Sequence, residues 1–216
     1  MNIDLPLRGL DRRTIRPGAT FDFWTAVGEV SRRAGYRMGA VIVGDHINPT
    51  GALAGGICTV STVLFNAAAR AGLAITARTS HGGYLAKYPL GLDAAVAKSD
   101  GWAQTMAFRN DTSQTLLIRT ASAPGIARVD LYAAEPLGRI VTLSEPAISH
   151  RVKATDRHAR TTALPAGSHQ RRQDSSDGMR VVVDRVVTDA SGRVVHRDHW
   201  VSRYRTLRGL VLDGTG

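Results

Sequence analysis

The chain has one cysteine in 216 residues. A lone thiol excludes an internal disulfide, so neither a stapled small fold nor a redox compartment can be read from pairing. No run approaches the roughly 18 apolar residues of a membrane span. Residues 1–8 lack the basic-then-apolar order of a signal peptide. The expected location is therefore the cytoplasm, or the cell envelope by an export route the chain does not itself display. Aromatic residues make up only 6% of the chain, and like charges run no further than doublets such as Arg171-Arg172. The net charge of +10 is spread, with 15 basic against 10 acidic residues up to position 140 and 13 against 8 beyond it. A nucleic-acid groove concentrates both its charge and its stacking rings, so no nucleic-acid partner is expected. A generally basic surface suits an anionic polymer such as cell-wall material, and equally a protein that is merely soluble.

What is present is ordinary apolar content, 43% of residues, enough for one full core and a small appendage. The expected fold is α+β: an antiparallel-strand-rich single domain over 1–140, with one central helix opening at Cys58, plus a β-hairpin extension over 141–216. Residues 1–16 read as a short amphipathic stretch closed by Pro17-Gly18. Thr20 to Trp24 suggests a strand leading into a helix that runs to about residue 34. Strands are expected at 40–43, 46–47 and 73–77, and a meander at 105–109, 115–120 and 127–132, with a further strand at 139–143. The helix from Ile57 to about Ala71 places Ile57, Val60, Ser61, Leu64 and Ala68 on one face, with Gly72 as a C-cap. Residues 164–178 are rich in Gly, Ser, Gln, Arg and Asp, which predicts a flexible loop. Beyond them 179–188 and 193–204 alternate as a hairpin around Asp189-Ala190-Ser191-Gly192. A hairpin alone is marginal in water, so Trp200 and Tyr204 are expected to anchor it on the core.

The chemistry-bearing stretch is Ala54-Gly55-Gly56-Ile57-Cys58-Thr59-Val60-Ser61-Thr62. A thiol at a helix N-terminus sits among unpaired backbone N–H groups that favour the thiolate. Cysteine catalysis also needs a base and donors for an oxyanion. His81, one helix and one return strand later, is the candidate base, and its flanking glycines allow close approach. The backbone N–H groups of Cys58 and Thr59 are candidate oxyanion donors. Asp93 is the candidate to hold the imidazole, and Arg78 to bind a substrate carboxylate. Each has a plainer reading: Cys58 as a small buried hydrophobe, His81 as a hydrogen-bonded surface histidine, Asp93 as a cap, Arg78 as a strand-end ion pair. His196 and His199 stand three apart in a strand and so point to opposite faces, and no CxxC is present for structural zinc. No metal and no cofactor is expected.

Ordered blocks extend this picture. Pro17-Gly18-Ala19-Thr20-Phe21-Asp22-Phe23-Trp24, Gly35-Tyr36, Gly55-Gly56-Ile57-Cys58-Thr59-Val60-Ser61-Thr62-Val63-Leu64-Phe65-Asn66, Arg78 to His81, Gly91-Leu92-Asp93-Ala94 and Phe108-Arg109-Asn110-Asp111-Thr112 together resemble the VanW domain, over about half the chain. The tail resembles the β extension that follows this domain in relatives, or a degenerate G5-like module. The resemblance implies an L,D-transpeptidase that cross-links peptidoglycan stem peptides, with a Cys58 acyl-enzyme, His81 as general base and acid, and Asp93 or Arg78 in support. It further implies a substrate surface of Arg78, Gly55, Gly56, Thr59 and Ser61. The alternative it leaves open is a non-catalytic accessory or binding protein of the cell envelope linked to glycopeptide resistance. The chain departs from the family pattern at Ala54 (commonly glycine), Ala77 (commonly glutamate) and Thr59 (commonly glutamine).

Overall fold

A computed structural model describes residues 2–216. The chain opens with helix α1 (Asp4–Leu10), strands β1 (Thr14–Ile15) and β2 (Thr20–Asp22), and helix α2 (Phe23–Val27). A hairpin of β3 (Met38–Val43) and β4 (His46–Leu53) leads into helix α3 (Cys58–Arg70) and strand β5 (Ala74–Ala77). Strands β6 (Ala97–Ser99), β7 (Trp102–Gln104), β8 (Ala107–Arg109), β9 (Leu116–Ala123) and β10 (Ile126–Tyr132) follow. The remainder is all strand: β11 (Ile140–Leu143), β12 (Ala147–Val152), β13 (Asp156–Thr161), β14 (His169–Gln173), β15 (Gly178–Thr188), β16 (Val194–Tyr204) and β17 (Gly209–Gly214). The architecture is mainly antiparallel β with few helices. Between named strands the one parallel pairing among the described residues is β13 with β17.

Three local expectations change. The strand-to-helix passage at Thr20 is real, because Asp22 caps α2 by accepting from the Thr25 amide at 2.8 Å. The helix stops at Val27, however, where Gly28 turns to a φ of 76°. The expected meander is two separate sheets. Strand β8 pairs with β2 and β5, whereas β9 pairs with β1 and β10. Asn110 makes the break: fully buried, its amide donates to the carbonyls of Ile15 and Gln114, both at 2.8 Å. Those bonds steer the chain out of the first sheet before β9 begins. Finally, 164–178 is not a continuous flexible loop. It carries β14, which pairs with β17, and Arg171 in that strand ion-pairs with Asp156 at 2.6 Å. A polar composition conceals a strand, because its ladder to β17 and its ion pair to Asp156 are made with other segments.

Helix α3 lies at the centre of the core. Val60, Leu64, Phe65 and Ala68 are fully buried. Its C-terminus closes with paired bonds, Leu73 N–H to the Ala68 carbonyl and Gly72 N–H to the Ala69 carbonyl, at 3.1 and 3.2 Å. Gly72 supplies the positive φ of 77° that this ending requires. The C-terminal hairpin of β15 and β16 docks on this helix. Trp200 meets Phe65 edge-on at 5.0 Å, and Val183 joins the same buried cluster. Arg185, fully buried, donates to the carbonyls of Ala69 and Leu73 at 2.8 and 2.9 Å, and pairs with Asp198 at 2.7 Å. A cation at the negative end of a helix is favourable, so the hairpin holds α3 from its C-terminus while Cys58 stands at the other end.

Candidate functional site

Everything at the site depends on how α3 begins. Gly55 packs against Gly39 of β3 so closely that any Cβ on it would overlap the Gly39 backbone. Its carbonyl accepts from Asn2 at 2.9 Å. Gly56 takes a φ of 99° with open space beside it. These two residues, expected to line a substrate surface, divide the work differently. Gly55 serves the close approach of two backbones, and Gly56 alone borders free space. The turn they form also uses up amides, with Thr59 N–H donating to Gly56 and Val60 N–H to Ile57, at 3.0 and 2.9 Å. The expected pair of oxyanion donors is thus reduced to the Cys58 amide.

Cys58 is partly exposed. Its Sγ lies 3.3 Å from the Val96 carbonyl and 3.5 Å from the Val96 amide. His81, which follows β5, also neighbours the sulfur. The His81 Nδ1 and its own backbone N–H both reach Asp93 Oδ2, each at 2.6 Å. With Nδ1 occupied, Nε2 is the nitrogen left for the thiol. Burial pushes the His81 pKa down, but the hydrogen bonds to Asp93 and Cys58 and the charges behind them outweigh it and lift it to about 9. The ring also stacks on Tyr88, with centroids 5.1 Å apart, and Tyr88 OH lies 3.2 Å from Thr59 Oγ1.

Asp93 is the hub. Only 3% of its side chain is exposed. Burial raises its pKa, yet the bonds from His81 and Tyr204 and the imidazolium charge more than reverse this and hold it below the ordinary carboxylate range. Arg78 donates to Asp93 Oδ1 at 3.0 Å, to the carbonyls of Asp93 and Gly91, and to Ser202 Oγ at 2.9 Å. With its side chain 5% exposed and its Nε and Nη2 engaged, Arg78 braces Asp93 and its loop. Ser61 is likewise withdrawn: fully buried, it donates to the carbonyls of Ala94 and Cys58 at 2.6 and 3.1 Å. Thr62 accepts from the Ala94 amide at 3.0 Å, and Asn66 donates to the Leu92 carbonyl at 2.8 Å. One face of α3 therefore fastens residues 92–96, and with them both Asp93 and the Val96 backbone at the sulfur. Of the expected substrate surface, Gly56 and Thr59 remain at the open side, with Lys87 Nζ 3.5 Å from Thr59 Oγ1.

Tyr204 is the contribution that sequence reasoning placed elsewhere. It does anchor the hairpin, but through its hydroxyl, which donates to Asp93 Oδ1 at 2.5 Å and accepts from the Gly91 amide at 3.2 Å. Burial and the Asp93 charge both push its pKa up, so the hydroxyl keeps its proton. No local signal links residues 111 apart in sequence. The histidines of β16 go to separate carboxylates, His196 to Asp111 at 2.8 Å and His199 to Asp184 at 2.7 Å. Among the described residues no three His, Cys, Asp or Glu side chains cluster as a metal site would, and no helix is long and apolar enough to cross a membrane.

Comparison with known proteins bears on residues that build this site. Over 135 residues the chain is 36% identical to an uncharacterized protein, YoaR, of Bacillus subtilis (strain 168), covering 62% of this chain and 43% of that one. Over 124 residues it is 30% identical to the vancomycin B-type resistance protein VanW of Enterococcus faecalis (strain ATCC 700802 / V583), covering 54% and 42%. The matched stretch thus spans less than half the length of either relative. Among solved structures, an IgA1 protease G5 domain aligns with 36% of this chain and 92% of its own at 16% identity, with a TM-score of 0.23. The HP0197 G5 structure aligns with 35% and 97% at 14% identity, with a TM-score of 0.19. The family profile described as VanW like protein matches residues 1–132, a span that contains Cys58, His81 and Asp93, and the chain belongs to that family.

Proposed function

We propose that the chain is a cysteine acyltransferase, an L,D-transpeptidase acting on peptidoglycan stem peptides. The arrangement that supports the proposal is Cys58 at the start of α3 beside His81, whose Nδ1 is tied to Asp93 at 2.6 Å. An imidazole beside sulfur can take the thiol's proton as attack begins and then protonate a leaving amine. The Cys58 sulfur attacks the carbonyl of the third stem residue. The C–N bond to the terminal D-alanine breaks, and the imidazolium proton leaves on that amine. Cys58 is then a thioester and His81 is neutral. The side-chain amine of a second stem attacks the thioester, His81 takes the amine's proton, and the C–S bond breaks to return the thiolate. Asp93 keeps the ring oriented and its charge compensated throughout, as the acid does in other nucleophile–base–acid arrangements.

A second reading, a cell-envelope binding or accessory protein that uses the same cleft without turnover, is favoured by the Thr59 amide, which is already committed to Gly56. An oxyanion stabilised by one amide is worth less than one held by two. Intact-mass analysis after exposure to a tetrapeptide stem or a carbapenem separates the two. A covalent adduct on wild type that is absent from Cys58→Ala supports acyl transfer. No adduct, under conditions that label a control transpeptidase, supports the binding protein, and adducts on Cys58→Ala as well would refute the assignment of the nucleophile.

A further inference from the structure

The β15–β16 ladder sets two arginines against each other. Arg180 lies directly opposite Arg203, on one face of the sheet, where like charges repel. Elsewhere this chain gives its inner arginines carboxylates, as at Arg78, Arg139 and Arg185. Among the described residues neither Arg180 nor Arg203 has an ion pair or a side-chain hydrogen bond, and neither does the guanidinium of Arg205. A cross-strand conflict left without internal compensation is the pattern expected where a ligand supplies the missing charge.

The three arginines line an open groove of about 900 Å³. Its far wall is the irregular stretch of β12, where the register slips between Ser149 and Val152 and His150 adopts a φ of 52°. Val152 and Met179 add apolar wall. The single carboxylate in the lining, Asp45, is already engaged with His46 at 3.2 Å. The groove also adjoins the site described above. The Arg205 amide donates to the Gly82 carbonyl at 2.8 Å, one residue from His81, and the Arg205 guanidinium packs against Gly82, while Tyr204 turns to the sheet's other face and reaches Asp93.

We propose that this groove binds the carboxylates of an acidic peptide, with Arg180 and Arg203 sharing one carboxylate and Arg205 directing the peptide toward His81. Guanidinium forks match carboxylate geometry two bonds at a time. A mixed apolar and cationic wall suits a peptide better than a bare phosphate polymer. The choice of a peptide rests on the acyl-transfer reading of the neighbouring site, although the charge argument does not.

The test is fluorescence anisotropy with a labelled peptide carrying two glutamates, its amidated counterpart and poly(glycerol phosphate), against Cys58→Ala and against Cys58→Ala with Arg180→Gln and Arg203→Gln. The expected result is salt-sensitive binding of the acidic peptide, at least tenfold weaker for the amidated form and for the groove variant, whose melting temperature matches or exceeds that of the parent. Equal binding of the amidated peptide, unchanged affinity in the groove variant, or tighter binding of the phosphate polymer would each overturn the proposal. If wild type forms no acyl adduct yet the acidic peptide binds as described, acyl transfer fails and the groove assignment stands.

Discussion

Tyr204→Phe removes one oxygen from the point where the C-terminal hairpin meets the site, and it leaves the volume of the ring in place. Two bonds go with it: the donation to Asp93 Oδ1 and the acceptance from the Gly91 amide. A hydrogen bond to a charged partner contributes about 1.5–3 kcal/mol, and a buried amide left without an acceptor costs about 1–3 kcal/mol. Tyr204 is 4% exposed, so water does not restore either bond. Because both bonds run through one atom they are not independent, and the expected loss is about 2–4 kcal/mol. In a chain of this size that corresponds to a melting temperature lower by roughly 4–16 °C. The loss should also depend on pH in a definite direction. The Asp93 carboxyl is depressed in the folded protein, so its stabilising bonds are present above the ordinary Asp value of about 3.9 and fade as pH falls through the depressed folded value. Urea denaturation at pH 7 and again in acid measures this: the gap between wild type and variant should be full at the first and shrink at the second. A melting temperature within about 1 °C of wild type, or a gap independent of pH, would refute the claim that the hairpin holds the carboxylate.

Three further outcomes are expected. The folded His81 pKa, about 9, lies above its unfolded value of about 6.5, so its contribution is complete below pH 6.5 and lost as pH rises through about 9. It amounts to about 3 kcal/mol, and a wild-type denaturation midpoint that falls no faster over this window than that of His81→Gln would contradict it. Arg185→Met should cost about 3–5 kcal/mol, because Asp198 and the Leu73 carbonyl lose their partner and the Ala69 carbonyl loses one of two, and adding Asp198→Leu should recover part of it; a single variant as stable as wild type by urea titration would show the hairpin is not held this way. Gly55→Ala should prevent folding or lower the melting temperature sharply through overlap with Gly39, whereas Gly56→Ala should cost only about 1–2 kcal/mol of backbone strain. Equal melting temperatures for the two would show the glycines are interchangeable.

Local signals placed the elements near the site well. The 3.6-residue apolar spacing of α3, Gly72 at its end and the hairpin at 179–204 were legible because each depends on neighbours in sequence. The polar residues at 164–178 misled, since the ion pair of Arg171 with Asp156 and the pairing of β14 with β17 join segments that composition treats separately. The meander failed for a similar reason: only the buried amide of Asn110 shows that β8 and β9 part company.

At the site the division is sharper. The sequence by itself determined which residues could do chemistry, a single thiol at a helix start and a histidine one return strand later, and the ordered blocks tied them to a family. Tertiary structure alone decided what each residue is free to do. Burial and internal hydrogen bonds made Arg78 and Ser61 braces of the Asp93 loop, and the tight turn at Gly56 consumed the Thr59 amide. Tyr204 of the distant hairpin became a partner of Asp93. Freedom to meet a ligand depends on which hydrogen bonds are already made across the fold, and those bonds join residues that no sequence window contains together.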